Sequence, residues 1–181
     1  LNLVNWCFPN IDGCSSISRA GRYYPVKFFF KPLMFVYAIF LSIFWKKMYD
    51  LLRNENIPIS KLYLLTALCS VLFLALYIIF LGEGNYYRFF RQIGIFIFIF
   101  FTVLSQILYS IKLKKLSCFN YKLKNKQSFY AICIGVIGLF LLPFVIFEIV
   151  EIKNFKNIVS WNYFFLIQIY FLIIFFGLRK N

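Results

Sequence analysis

Long apolar runs separated by short polar segments dominate the hydropathy pattern of this chain. Each run has about 20 residues with few charges, which is the length that an α-helix needs to cross a bilayer core of about 30 Å. The pattern therefore predicts an all-α fold, a polytopic transmembrane helix bundle that forms a single domain over residues 1–181. The predicted elements are a polar loop at residues 1–26 and five spans at about 27–45, 62–81, 87–111, 129–150 and 158–178.

The composition supports a membrane protein. Of the 181 residues, 62% are hydrophobic and 23% are aromatic. A soluble domain of this size must give much of its surface to water, and it has no interior large enough for so many apolar side chains. The net charge of +14 is also typical of nucleic-acid binding. Most lysines, however, lie in short connectors between spans, where membrane topology explains them, so no nucleic-acid partner is expected.

The distribution of basic residues predicts an orientation. Five spans place the chain ends on opposite sides of the membrane. Lys and Arg number eight on the side of residues 1–26 and twelve on the side of the C-terminus. By the positive-inside rule, the C-terminus is predicted to be cytoplasmic and residues 1–26 to lie on the outer or luminal side.

Four of the six arginines are predicted to lie on the outer side, whereas most of the lysines are predicted to lie on the opposite side. A guanidinium binds phosphate or carboxylate through two parallel hydrogen bonds. One hypothesis is therefore a site for a lipid headgroup or another anion, formed by Ser16, Ser18, Arg19, Arg22, Arg88 and Arg91. The alternative is that the arginines hold the loop in place by pairing with carboxylates on the same side, namely Asp12, Glu83, Glu148 or Glu151.

The chain lacks the usual residues of catalytic and metal centres. It has no His, which removes Ser-His-Asp and Cys-His chemistry and His-based zinc sites. Cys7 and Cys14 share the outer loop and could close a disulfide ring if that compartment is oxidising. We predict no catalytic residue, no metal site and no cofactor. The carboxylates of Glu148 and Glu151 are interpreted as groups that cap and solvate the end of a span.

Polar and small residues within the spans predict how the helices pack. Three- and four-residue steps place one set near a single face of the third span, where it should point into the bundle rather than into lipid: Arg91, Ile95, Thr102 and Gln106. The spacing Ala131-x3-Gly135, with Gly138 nearby, predicts close helix contact in the fourth span.

The loop also carries a recognisable pattern. Ser16-Ile17-Ser18, then Gly21 and Pro25, follow a Cys-x-Pro-Asn stretch and lead into a span. This pattern resembles the first luminal loop of the Frag1/DRAM/Sfk1 family of membrane proteins. The resemblance implies six spans with both ends cytoplasmic, hence a further span before Leu1, and a role in lipid-related membrane biology without a firmly shared reaction. The chain departs from the family at Arg19, where a small residue is usual, and in having arginines where eukaryotic members often carry His.

These observations together predict a non-enzymatic integral membrane protein. It would act as an accessory subunit of a larger membrane complex or as a lipid-associated scaffold. Its expected partners are membrane lipids and other membrane protein subunits. The alternative is a protein that binds or remodels lipid headgroups at the outer leaflet, using the loop and the arginines.

Overall fold

The computed structural model describes residues 7–21, 24–81, 85–116, 121–146 and 155–178. Within these ranges the structure is all-helical and contains no strand. Two one-turn helices lie in the predicted loop and five long helices follow: α1 (Pro9–Asp12), α2 (Ile17–Ala20), α3 (Val26–Asn54), α4 (Lys61–Ile79), α5 (Asn85–Leu113), α6 (Tyr121–Ile146) and α7 (Phe155–Leu178).

Four of the long helices, α3, α4, α5 and α7, are long and apolar enough to cross a membrane, and α6 contains a shorter apolar run over Asn125–Leu141. Helices α3 and α5 have 29 residues each. At 1.5 Å per residue each is about 44 Å long, which exceeds the bilayer core of about 30 Å. Their ends therefore project beyond the hydrocarbon region. The fold is that of a multi-pass membrane protein, as the hydropathy pattern predicts.

Helix α3 continues for nine residues beyond the end of its predicted span at residue 45. Packing explains the extension, since Met48, Tyr49 and Leu52 in this segment are buried. The helix ends in a Schellman motif, in which the amide of Ile57 donates to the carbonyl of Leu52 at 3.0 Å. Asn56 takes the left-handed conformation that this motif requires, with φ of 54°. The predicted polar connector 46–61 is thus mostly helix.

Helix α6 begins eight residues before the predicted start of its span at residue 129. The early turns pack against α5, because Gln127 and Ser128 are buried and the Gln127 amide donates to the Ser110 carbonyl at 3.3 Å. Helix α4 begins at Lys61, one residue before its predicted span, after Ser60, whose hydroxyl accepts a hydrogen bond from the amide of Leu62. This capping bond satisfies one of the amides left open at a helix start.

Consecutive long helices pack side by side, from α3 to α4, α5, α6 and α7. Helix α7 then returns to α3, where the Gln168 amide donates to the Tyr37 hydroxyl at 2.9 Å. Further along the two helices, Phe44 and Phe171 meet edge to face with centroids 5.1 Å apart. Helix α7 also contacts α5, because the Gln106 amide donates to the carbonyl of Ile167. The five long helices therefore form a closed bundle.

Polar side chains point inward and many apolar ones point outward, as expected of a helix bundle in lipid. The interior location predicted for Arg91, Thr102 and Gln106 is confirmed, since all three are buried. Exposed apolar side chains cover the outer faces of the long helices, for example Phe28, Phe29, Phe40, Leu139, Phe140, Phe175 and Phe176. These faces would meet the acyl chains of a bilayer.

Small residues allow close approach between helices. A Cβ atom added at Gly135 would lie 2.8 Å from the Cδ1 atom of Ile107 on α5, and one added at Gly138 would collide with the hydroxyl of Tyr163 on α7. The close contacts predicted for this part of α6 are therefore confirmed. A third close contact, at Gly94 on α5, was not predicted from the sequence. A Cβ atom at Gly94 would lie 3.1 Å from the backbone nitrogen of Tyr77 on α4.

Candidate functional site

Residues 7–21 fold into a compact unit, called the cap below. Cys7 and Cys14 are joined by a disulfide, with Cα atoms 6.6 Å apart. Between them, Gly13 ends α1 in the left-handed conformation at φ 61°, where a side chain would be strained. The Asp12 carboxylate accepts a hydrogen bond from the amide of Phe8 at 2.8 Å. The disulfide, the glycine and the aspartate fix the first half of the cap.

Three side chains from the first two turns of α7 hold the cap against the bundle. Each is a donor and each bonds to a backbone carbonyl of the cap. Asn157 donates to Gly13 at 2.7 Å, Trp161 donates to Ser15 at 2.8 Å, and Asn162 donates to Asn10 at 2.8 Å. Because three donors spaced along α7 bond to three acceptors spaced along the cap, these bonds fix both the position and the orientation of the cap relative to α7.

The predicted site residues Ser16, Ser18 and Arg19 lie together in the second half of the cap. The Ser16 hydroxyl accepts from the amide of Arg19 at 3.2 Å and thereby caps α2. The hydroxyls of Ser16 and Ser18 are 3.3 Å apart. These contacts give the Ser-Ile-Ser segment a local structural role. The side chain of Arg19 is exposed.

The predicted site residues Arg88 and Arg91 lie one turn apart on α5. Arg88 is exposed, whereas Arg91 is buried. This end of α5 packs beside the end of α4, where the rings of Phe80 and Phe90 stack at 4.7 Å. The contacts described for the cap, in contrast, run to α7. Arg22 lies outside the described residues.

The alternative interpretation, in which arginines hold the loop through carboxylates, stays a prediction. Its one described carboxylate, on Asp12, accepts from the Phe8 amide within the cap. The other three proposed partners, Glu83, Glu148 and Glu151, lie outside the described residues. The asparagines and the tryptophan of α7 also hold the described part of the loop. Sequence inspection missed them because any carbonyl can accept from such donors.

A second polar cluster lies inside the bundle, between α5, α6 and α7. The Tyr170 hydroxyl donates to the carbonyl of Gln106 at 3.1 Å and lies 2.9 Å from the hydroxyl of Ser110. The Gln106 amide donates to Ile167, and the Gln127 amide donates to Ser110. The sequence pattern singled out Gln106, but Tyr170 looked like one more aromatic residue in an apolar span.

This interior also contains buried polar atoms that make no hydrogen bond within the described residues. Two are donors, the indole nitrogen of Trp45 and the hydroxyl of Tyr109, and two are the amide oxygens of Gln106 and Gln127. Each unpaired buried group costs about 1–3 kcal/mol. The rings of Trp45 and Tyr109 are 5.0 Å apart. Trp45 lies in the second half of α3 and Tyr109 in the last turns of α5, so these two unpaired donors are near the end of the bundle opposite the cap.

In the part of the chain that the structure describes, His, Cys, Asp and Glu side chains form no group of three that could hold a metal ion. Cys69 and Cys133 are free and half-buried within α4 and α6. They fit the role of small apolar packing residues.

The chain was compared with protein-family models, with curated proteins and with solved structures, and none of the three comparisons found a match. The fold thus identifies the class, a multi-pass membrane helix bundle with a disulfide-closed cap. The resemblance of the loop to the Frag1/DRAM/Sfk1 family stays a prediction.

Proposed function

We propose that the protein is a non-enzymatic accessory subunit of a larger membrane complex, which it contacts through the cap. The observation that carries this proposal is the combination of a fixed backbone with exposed apolar side chains. Phe8 and Ile11 are 64% and 72% exposed. They lie on a unit that is closed by a disulfide and bonded to α7. Apolar side chains displayed on a rigid support are typical of protein–protein contact sites.

Rigidity supports docking for an energetic reason. A flexible loop must be ordered when it binds, and the lost entropy subtracts from the affinity. The disulfide and the three bonds from α7 supply that order before any partner arrives. Three backbone carbonyls of the cap are engaged with α7, and the exposed side chains of Phe8 and Ile11 offer apolar contact. The same protein in isolation would serve as a scaffold among lipids, which is the second form of this proposal.

Site-specific photocrosslinking in native membranes tests the subunit proposal. A photoreactive phenylalanine analogue replaces Phe8 in the cap and, as a matched control, Phe129 on α6, which is 72% exposed. We expect Phe8 to form a discrete adduct with one protein that also copurifies with the unmodified chain. The substitution Ile11→Asp should abolish both the adduct and the copurification. Adducts with lipid alone, or the same adduct from Phe129, would contradict the proposal.

A second candidate function is binding of a lipid headgroup at the outer leaflet. It is supported by two exposed arginines, Arg19 on the cap and Arg88 on α5. Lipid analysis of a strain carrying Arg19→Ala and Arg88→Ala tests it, with Arg53→Ala at the other end of the bundle as the control. We expect an altered headgroup profile in the double variant only. An unchanged profile at normal protein level would remove this candidate.

A further inference from the structure

Contacts at the end of the bundle opposite the cap bring four helices into register. The ring of Tyr109 on α5 lies 5.0 Å from Trp45 on α3 and 6.0 Å from Tyr63 on α4. Lys112, one turn beyond Tyr109, donates to the carbonyl of Pro58 at 2.7 Å. On the other side, Gln127 of α6 bonds to the backbone of α5 at Ser110, two residues before Lys112. These contacts place the Trp45 segment of α3, the start of α4, the last turns of α5 and the Gln127 segment of α6 near one level.

Lysines lie near this level on α3, α4 and α6 and directly after the end of α5. Each is within three positions of a residue that makes one of these contacts. We call the exposed ones the lysine belt: Lys46, Lys47, Lys61, Lys114, Lys115 and Lys126. Lys112 differs from them, because its ammonium is bonded to Pro58 and lies 5.6 Å from the ring of Tyr63.

The belt lies at the boundary between apolar and polar surface. On α3, exposed apolar side chains such as Phe40 and Ile43 precede Lys46 directly. On α4, Lys61 is followed by the exposed Leu62 and Leu65. In a bilayer this boundary coincides with the headgroup region, where an ammonium on a long side chain can reach lipid phosphates. The one acidic residue of α3 is Asp50, which lies one turn beyond Lys46.

We propose that the lysine belt binds anionic phospholipids and concentrates them around this end of the bundle. The six exposed ammonium groups are spread over α3, α4, α6 and the turn after α5 rather than gathered on one element. The inferred partner is therefore a shell of lipids with net negative headgroups, such as phosphatidylglycerol. Each basic residue close to an anionic leaflet raises the affinity of a protein for that leaflet by about fivefold. This proposal concerns the end opposite the cap, so it does not depend on what the cap binds.

Native mass spectrometry of the purified full chain tests the proposal. The chain is held in mixed micelles with equal amounts of phosphatidylglycerol and phosphatidylcholine, and the lipids that stay bound are counted. The test variant is Lys46→Gln with Lys47→Gln. The matched control is Lys27→Gln with Lys31→Gln, which removes the same charge from the other end of the same helix. A second belt variant, Lys114→Gln with Lys115→Gln, covers the case in which the first is unstable.

We expect the unmodified chain and the control to retain phosphatidylglycerol in preference to phosphatidylcholine. In the belt variants this preference should fall by about fivefold or more. It should also weaken as salt is raised, because exposed charges are screened. Equal retention of the two lipids by the unmodified chain would overturn the proposal. So would a loss of preference in the control as large as that in the belt variants.

Discussion

The contact between α4 and α5 offers the sharpest test of the packing. A Cβ atom at Gly94 would lie 3.1 Å from the nitrogen and 3.2 Å from the Cα atom of Tyr77. Both are backbone atoms inside a helix, so they cannot move unless α4 moves as a whole. At Gly135 an added Cβ would lie even closer, 2.8 Å, to the Cδ1 atom of Ile107. That atom is the tip of a flexible side chain and can rotate away.

The substitutions Gly94→Ala and Gly135→Ala should therefore differ in their free energy of unfolding, because only the neighbour of Gly135 can move aside. Both gain about 0.8–1.0 kcal/mol of helix propensity, so this gain cancels between them. Overpacking against an immovable neighbour costs about 1–3 kcal/mol. We expect Gly94→Ala to be less stable than Gly135→Ala by about this amount, although the nominal contact at Gly135 is the shorter one.

Thermal unfolding followed by helical circular dichroism in one detergent measures the difference. For a chain of this size, 1 kcal/mol corresponds to about 2–4 °C in the midpoint. The midpoint of Gly94→Ala should therefore lie about 2–12 °C below that of Gly135→Ala at the same heating rate. A midpoint equal to or above that of Gly135→Ala would refute the argument, since it would show that α4 yields as easily as a side chain.

Three further predictions concern the cap and the interior. Replacing Cys14 by Ser removes the disulfide that closes the cap, and trypsin should then cleave after Arg19 faster in intact vesicles. An unchanged cleavage rate would show that the disulfide does not constrain the cap. Trp161→Phe removes the donor to Ser15, and a bond of about 0.5–1.5 kcal/mol should raise the same cleavage rate by about two- to tenfold, with the disulfide intact. A rate equal to that of the unmodified chain would mean that the indole bond adds nothing. Tyr170→Phe removes two buried hydrogen bonds and should lower the free energy of unfolding by about 0.6–1.7 kcal/mol, measured by the same thermal assay; a raised midpoint would argue against a stabilising network.

The amino-acid sequence by itself determined the class of fold. The length and composition of the apolar runs are local properties, and a bilayer has a fixed thickness, so spans can be located from hydropathy. The inward orientation of Thr102 and Gln106 was predictable for the same reason, because helical periodicity assigns residues to faces. The cap of α4 at Ser60 is likewise a local signal.

Only the tertiary structure decided how the cap is held. Asn157, Trp161 and Asn162 bond to backbone carbonyls of the cap. Every residue carries a carbonyl, so no sequence pattern marks the one that a distant donor will use. The sequence pattern linked the arginines to the loop because charged residues give a recognisable signal. Neutral hydrogen-bond donors on an apolar helix give no such signal.

The tertiary structure also decided where the helices end and which lysines share a level. Helix α3 extends past its apolar span because Met48 and Leu52 are buried against neighbouring helices, a stabilisation that hydropathy over one segment cannot show. Lys46 and Lys126 are 80 positions apart, and their common level follows from contacts of Trp45 and Gln127 with the same helix. Local sequence thus determined the spans, and long-range side-chain contacts determined the surfaces they create.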